Sequence, residues 1–174
     1  RIAAFEAEAA RAVARLYPKG LGADYTRIVS DGHLTRLKGL VAEAGRRGAR
    51  VVELAPVPPG ANGRIMPPTL VIDPDPDSPL MREEIFGPVL PVVPAETLDA
   101  ALAFVNERPR PLALYYFDDD RGRQDQVLAR TMSGGVTLND TIFHLAQLNL
   151  PFGGVGDSGM GAYHGLDGFA QFSK

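Results

Sequence analysis

Segments with apolar residues at helical spacing alternate along this chain with short apolar runs, and glycine or proline marks the junctions between them. No other feature constrains the fold as much, because a helix between two strands carries the chain back to start its next strand in the same direction. The expectation is an α/β fold with a mainly parallel sheet flanked by helices. Ile2, Phe5, Ala9, Val13 and Leu16 recur at three- and four-residue steps before Pro18 and Gly20, which predicts a first helix. Its Glu6 and Glu8 lie early and Arg11 and Arg15 late, as the helix dipole favours. Ser30 or Asp31 can cap a second helix with Leu34, Leu37, Val41 and Ala44 on one face, closed by Gly45 and Gly48. Thr97 can cap a third bearing Leu98, Ala101, Leu102 and Val105. Residues 118–120 open a fourth that runs through Val127, Leu128 and Met132 to Gly134 and Gly135. Between these helices the runs 49–54, 65–72, 89–93, 111–117 and 136–138 read as strands, the first buried and the second interrupted by Pro67 and Pro68. Residues 56–63 read as a loop and the proline-rich 73–79 as an extended or turning connection.

Composition sharpens this picture. Glycine (19) and proline (15) are about a fifth of the 174 residues, so much of the chain must be turns and shaped loops. Gly153, Gly154, Gly156, Gly159, Gly161, Gly165 and Gly168 crowd one stretch with little periodicity, which reads as such a loop. No repeat or linker divides the chain, and the expectation is a single domain over 1–174. It begins at Arg1 rather than Met and is already helical there, which reads as a fragment of a longer protein. The net charge of −3 implies no nucleic-acid partner, and Arg46, Arg47 and Arg50 read as a solvated edge. No run is long and apolar enough to span a membrane, so no membrane partner is expected. The cysteine count is zero, which excludes disulfides, cysteine-ligated metal and thiolate catalysis by any residue of this chain.

Several local patterns call for a bland reading. Gly154-Val-Gly-Asp-Ser-Gly159 spells a dinucleotide fingerprint, but no buried strand precedes it and glycines interrupt the helix that should follow, so it reads as a packed structural loop. His33, His144 and His164 lack metal-ligand spacing, and no metal site is expected. His33, in the first turn of a helix, reads as solvated, and His144 as a core or pocket-lining residue. His164 in the glycine-rich tail is the histidine to watch. Ser158 has no nucleophile-elbow setting. Asp118, Asp119 and Asp120 read as a helix-capping cluster.

Met81-Arg-Glu-Glu-Ile-Phe-Gly-Pro88 is the most informative stretch. Adjacent carboxylates, an aromatic ring and a Gly-Pro turn lead straight into a strand. A carboxylate can accept two hydrogen bonds from a vicinal diol such as a ribose while a neighbouring ring packs on a flat heterocycle. From these residues alone a structural turn and a binding loop fit equally well.

Three pieces together resemble the aldehyde dehydrogenase superfamily: Glu83-Glu-Ile-Phe-Gly-Pro-Val89, Gly134-Gly-Val-Thr-Leu-Asn-Asp140, and Leu150-Pro-Phe-Gly-Gly-Val-Gly-Asp-Ser-Gly-Met-Gly-Ala-Tyr-His-Gly165. The Pro-Phe-Gly-Gly-Val-Gly and Tyr-His-Gly forms are similar to the class 3 branch. The run from Asn139 and the residues 169–174 are most similar to bacterial coniferyl aldehyde dehydrogenases. The resemblance extends over essentially the whole chain and implies a catalytic domain that lacks the upstream dinucleotide-binding domain and nucleophile. In such enzymes a cysteine thiolate attacks the aldehyde, hydride passes to the nicotinamide of NAD or NADP, and glutamate-activated water releases the acid from the thioester. The cysteine and the general-base glutamate would both lie upstream, so no catalytic residue is expected within 1–174 and this piece alone would be inactive. Glu84 would accept hydrogen bonds from the nicotinamide ribose, Phe86 would pack on that ribose and ring, and His164 would lie near the nicotinamide end. Phe152, Leu145 and Ala146 would line the aldehyde tunnel. Asp157 stands where related sequences often carry Asn or Pro. The resemblance further implies a cytoplasmic homodimer for the intact enzyme. The alternative is a catalytically silent binding or assembly module.

Overall fold

The computed structural model describes residues 1–58, 60 and 63–173, so the loop read at 56–63 falls partly outside the described residues. The residues group into two compact units, Arg1–Pro94 and Ala95–Lys174, where the sequence offered no internal boundary.

The first unit holds α1 (Ile2–Leu16), α2 (Asp31–Arg46), β1 (Arg50–Glu53), β2 (Thr69–Ile72), α3 (Pro79–Arg82) and β3 (Val89–Val92). Its sheet has the order β1-β2-β3. β3 runs parallel to β2, with Thr69 opposite Val89, whereas β1 is antiparallel to β2, with Val52 opposite Leu70. Only the central strand β2 is buried at every position, as expected for a strand covered on both faces. Of the run 65–72, the strand keeps just its last four residues, because Pro67 and Pro68 cannot donate to a ladder. The expectation of a buried strand at 49–54 is corrected: β1 is an edge strand with three of its four residues exposed. Ser30 caps α2 by accepting from the His33 N–H. The helix then buries Leu37, Leu40 and Ala44 in a core with Val71, Leu80 and Val89. The basic edge is solvated as expected, with Arg46, Arg47 and Arg50 all exposed. Its surface ion pairs join Arg47 to Glu43 and Asp75, and Arg50 to Glu6 of α1.

The second unit holds α4 (Leu98–Asn106), β4 (Ala113–Tyr116), α5 (Arg121–Arg130), β5 (Gly135–Leu138), α6 (Phe143–Ala146), a 3-10 turn at Gly156–Ser158 and α7 (Gly165–Gln171). Parallel strands β4 and β5, linked by α5, form a β-α-β unit. Among the described residues two of the three strand pairings are therefore parallel, and the α/β expectation holds, with the strands divided between two sheets rather than one. The tail is more ordered than a shaped loop: α6, the 3-10 turn, α7 and an isolated bridge between Phe152 and Tyr163 organise it. No helix among the described residues is long and apolar enough to cross a membrane.

Candidate functional site

In the first unit the 83–88 loop leaves α3 and enters β3, and one face of α2 holds it down. Arg36 donates to the Glu83 carboxylate at 3.0 Å and to the carbonyls of Glu84 and Ile85 at 2.8 and 2.9 Å. One turn earlier, Nε2 of His33 donates to the Phe86 carbonyl at 2.8 Å. A carbonyl can only accept, so this bond sets the tautomer and leaves Nδ1 to face the Arg36 guanidinium at 3.5 Å. The solvated reading of His33 is thus corrected, since a carbonyl fifty-three residues away satisfies its ring. Packing completes the anchorage. Ile85 joins the core beside Leu34, and a Cβ on Gly87 would lie 2.6 Å from the fully buried Leu37 side chain, so only glycine lets the loop approach α2 this closely.

The two glutamates are thereby separated chemically. Glu83 is occupied by Arg36, whereas the exposed Glu84 carboxylate has no hydrogen-bond or ion-pair partner among the described residues. Phe86 is 72% exposed. Its φ of +48° places it in the left-handed region, where a non-glycine residue costs about 1–2 kcal/mol and persists only when its surroundings hold it. Beside its ring a recess of about 440 Å³ opens, walled by Tyr25, Ile28, Val29 and Pro88 among others, so the ring borders a concave, largely apolar surface.

In the second unit the tail forms an aromatic cluster on the β4–β5 layer. Phe152 stands at its centre, with ring centroids 5.8 Å from His144, 5.4 Å from Tyr163 and 6.0 Å from His164, the last stacked at 27°. Tyr115 of β4 extends the cluster, 5.7 Å from His144. Thr137 of β5 holds His144 through its Nδ1 at 3.3 Å. The ring Nδ1 of His164 is buried with no hydrogen-bond partner, and the residue sits at φ +87°. Leu145 and Ala146 lie on α6, next to His144 and exposed. The structure therefore brings Phe152 and His164 together and puts Leu145 and Ala146 on the helix that carries His144. Glu84 and Phe86 belong to the other unit.

Glycine spacing proves to be packing chemistry. A Cβ on Gly154 would sit 2.1 Å from the Ser158 carbonyl oxygen, and the residues after it form a single 3-10 turn rather than a helix opening onto a phosphate. Ser158 spends its hydroxyl on Val155, accepting from the N–H and donating to the C=O. Asp120 caps α5 as expected. Asp118 does more. It takes two hydrogen bonds from Arg123 and one from the Tyr116 hydroxyl, while the Asn139 amide brackets its backbone. Arg123, then the Asp120 N–H and Tyr116, hold the Asp118 carboxyl well below the usual carboxylate range. Burial and this same carboxylate push the Tyr116 phenol up. Among the described residues no cluster could hold a metal ion.

Sequence reasoning missed Arg36, His33, Tyr115 and Tyr163. The i, i+3 spacing of His33 and Arg36 shows that they share a helix face, yet nothing in the sequence links that face to a loop some fifty residues later.

Comparison with known proteins identifies the family. The model of the aldehyde dehydrogenase family matches residues 3–174. A probable coniferyl aldehyde dehydrogenase of Caulobacter vibrioides is 52% identical over 99% of this chain and 36% of its own length. The dimeric NADP-preferring aldehyde dehydrogenase of Rattus norvegicus is 46% identical over 86% of this chain and 32% of its own. Among solved structures, Staphylococcus aureus AldH in a substrate-bound state superposes with a TM-score of 0.80 at 39% identity, covering 93% of this chain and 35% of that one. The Mycobacterium tuberculosis aldehyde dehydrogenase complexed with NAD+ gives 0.77 at 30% identity, covering 86% and 31%. The chain spans about a third of the length of these relatives.

Proposed function

The chain belongs to the aldehyde dehydrogenase family, and from that premise we propose that it supplies the coenzyme-positioning loop and the substrate-lining aromatics of an NAD(P)-dependent enzyme that oxidises an aldehyde to its carboxylic acid. The nucleophilic cysteine and the general-base glutamate lie outside residues 1–174 in this proposal, and the whole segment works as part of one catalytic domain. Similarity to coniferyl aldehyde dehydrogenases supports an aromatic aldehyde as substrate. Similarity to dimeric NADP-preferring enzymes supports a homodimer, with NAD or NADP as coenzyme. Cytoplasmic residence is part of the same reading.

One observation carries it: of two adjacent glutamates, Arg36 occupies the first and leaves the second exposed, two residues from an exposed, strained aromatic. Those residues fit a nicotinamide ribose. The unpartnered Glu84 carboxylate can accept from both ribose hydroxyls, and Phe86 offers an apolar face to the ribose and ring. The nicotinamide, when bound, accepts the hydride that leaves the aldehyde carbon. In the second unit Phe152, with Leu145 and Ala146, would wall the aldehyde, and His164 would lie near the nicotinamide end. Phe152 gives an aromatic aldehyde a ring to pack on.

The test is Glu84→Gln in the intact parent enzyme. It removes one charge-assisted acceptor, which corresponds to about a tenfold slower hydride transfer at saturating dinucleotide. A variant with unchanged dinucleotide affinity and an unchanged hydride-transfer rate would show the assignment to be wrong.

A further inference from the structure

Building on the coenzyme reading of Glu84 and Phe86, we propose that His33 and Arg36 of α2 are positioning residues for the nicotinamide end of the coenzyme, a two-point clamp that sets the directions of the Glu84 and Phe86 side chains before the coenzyme arrives. Three consecutive carbonyls, of residues 84, 85 and 86, accept from these two side chains. Fixing them fixes the peptide planes on both sides of the Phe86 Cα and the plane following Glu84. Phe86 cannot relax from its left-handed conformation while its own carbonyl is held by His33. Arg36 also engages Glu83 and so keeps the neighbouring carboxylate from competing for the same hydroxyls. Both donors sit on a capped helix whose opposite contacts are core residues, so the reference frame is rigid. A loop held this way loses little further freedom when it orders a ligand, which is how preorganised sites gain rate.

A structural role alone would change folding without coupling to Glu84. The experiment therefore uses the intact parent enzyme with Arg36→Gln, His33→Asn, Glu84→Gln and the Arg36→Gln/Glu84→Gln double variant. Single-turnover hydride transfer at saturating dinucleotide is expected to slow about tenfold in Arg36→Gln and less in His33→Asn, with the aldehyde KM unchanged. The double variant is expected to be no slower than the slower single variant, since both changes remove one placement. Without dinucleotide, amide exchange at 84–87 is expected to quicken in both clamp variants while β2 keeps its wild-type protection.

If the clamp variants keep wild-type transfer and wild-type exchange while Glu84→Gln slows transfer, the clamp is overturned and the coenzyme reading stands. If exchange quickens but Glu84→Gln leaves transfer unchanged, the coenzyme reading falls and the positioning role falls with it. Fully additive losses would mark Arg36 as acting through stability alone and overturn the proposal. Should Arg36→Gln fail to fold, His33→Asn carries the same comparison.

Discussion

Gly134 shows how little room one residue can leave. A Cβ there would lie 2.2 Å from the Gly153 carbonyl oxygen and 2.7 Å from that of Leu112, and backbone cannot move aside as a flexible side chain can. Gly134→Ala is expected to cost about 3 kcal/mol, the upper end for overpacking, seen as a lowered urea midpoint. Tyr25 is constrained by burial instead. Its hydroxyl donates to the Met66 carbonyl at 2.8 Å, and desolvation, with Tyr17 close by, pushes its phenol up to about 12. The folded value lies above the unfolded one, so its contribution is complete below pH ~10 and lost as pH rises toward 12. In that window the unfolded chain has released a proton that the folded chain keeps, and stability falls by about 1.4 kcal/mol per pH unit. Ultraviolet titration should show one phenol resisting ionisation until about pH 12, and Tyr25→Phe should remove it and flatten the alkaline loss of stability.

At the scale of elements, the start of α5 and the end of β5 are joined through one carboxylate and one amide. Asn139 ends the Gly134-Gly-Val-Thr-Leu-Asn motif at φ +55° and uses its side chain on both the N–H and the C=O of Asp118. The motif asparagine is thus explained by the strand-helix junction rather than by direct chemistry. Replacing it by alanine is expected to lower stability by about 1–2 kcal/mol, measured by urea unfolding, because two hydrogen bonds are lost. Asp118 has a folded value below its unfolded one, so its contribution is present above the ordinary carboxylate range and lost as pH falls through and below about 4. Asp118→Asn should therefore be less stable than wild type at neutral pH and lose less on acidification. A variant whose urea midpoint falls with acid as steeply as the wild type would refute this. In the first unit the capped α2 does a comparable job for the 83–88 loop, and Ser30→Ala should cost about 1 kcal/mol through the lost cap, seen as a lower thermal midpoint.

For the whole molecule, burial is unevenly shared. In the second unit only Leu102 and Val127 are buried among the described apolar residues, while Met160, Leu166, Phe169 and Phe172 stand largely exposed. Hydrogen exchange should therefore be slowest at Leu70 and Val71 of β2 and orders of magnitude faster across α6 and α7. Equal protection in both units would contradict that expectation. Much of this organisation was legible in the order of residues. Helical spacing placed α1 from Ile2 to Leu16, Ser30 and Thr97 announced their caps, and the three motifs identified the family, because periodicity, capping and turn chemistry are local properties. The division into two units, the edge position of β1 and the helices of the tail were not legible, since each depends on which surfaces meet. The same limit applies at the site. Sequence named Glu84 and Phe86 but left a turn and a binding loop equally plausible on residues alone. Only the fold brought Arg36 and His33 across fifty residues to occupy Glu83, hold three carbonyls and leave Glu84 open, because a hydrogen bond depends on distance in space and not on separation along the chain.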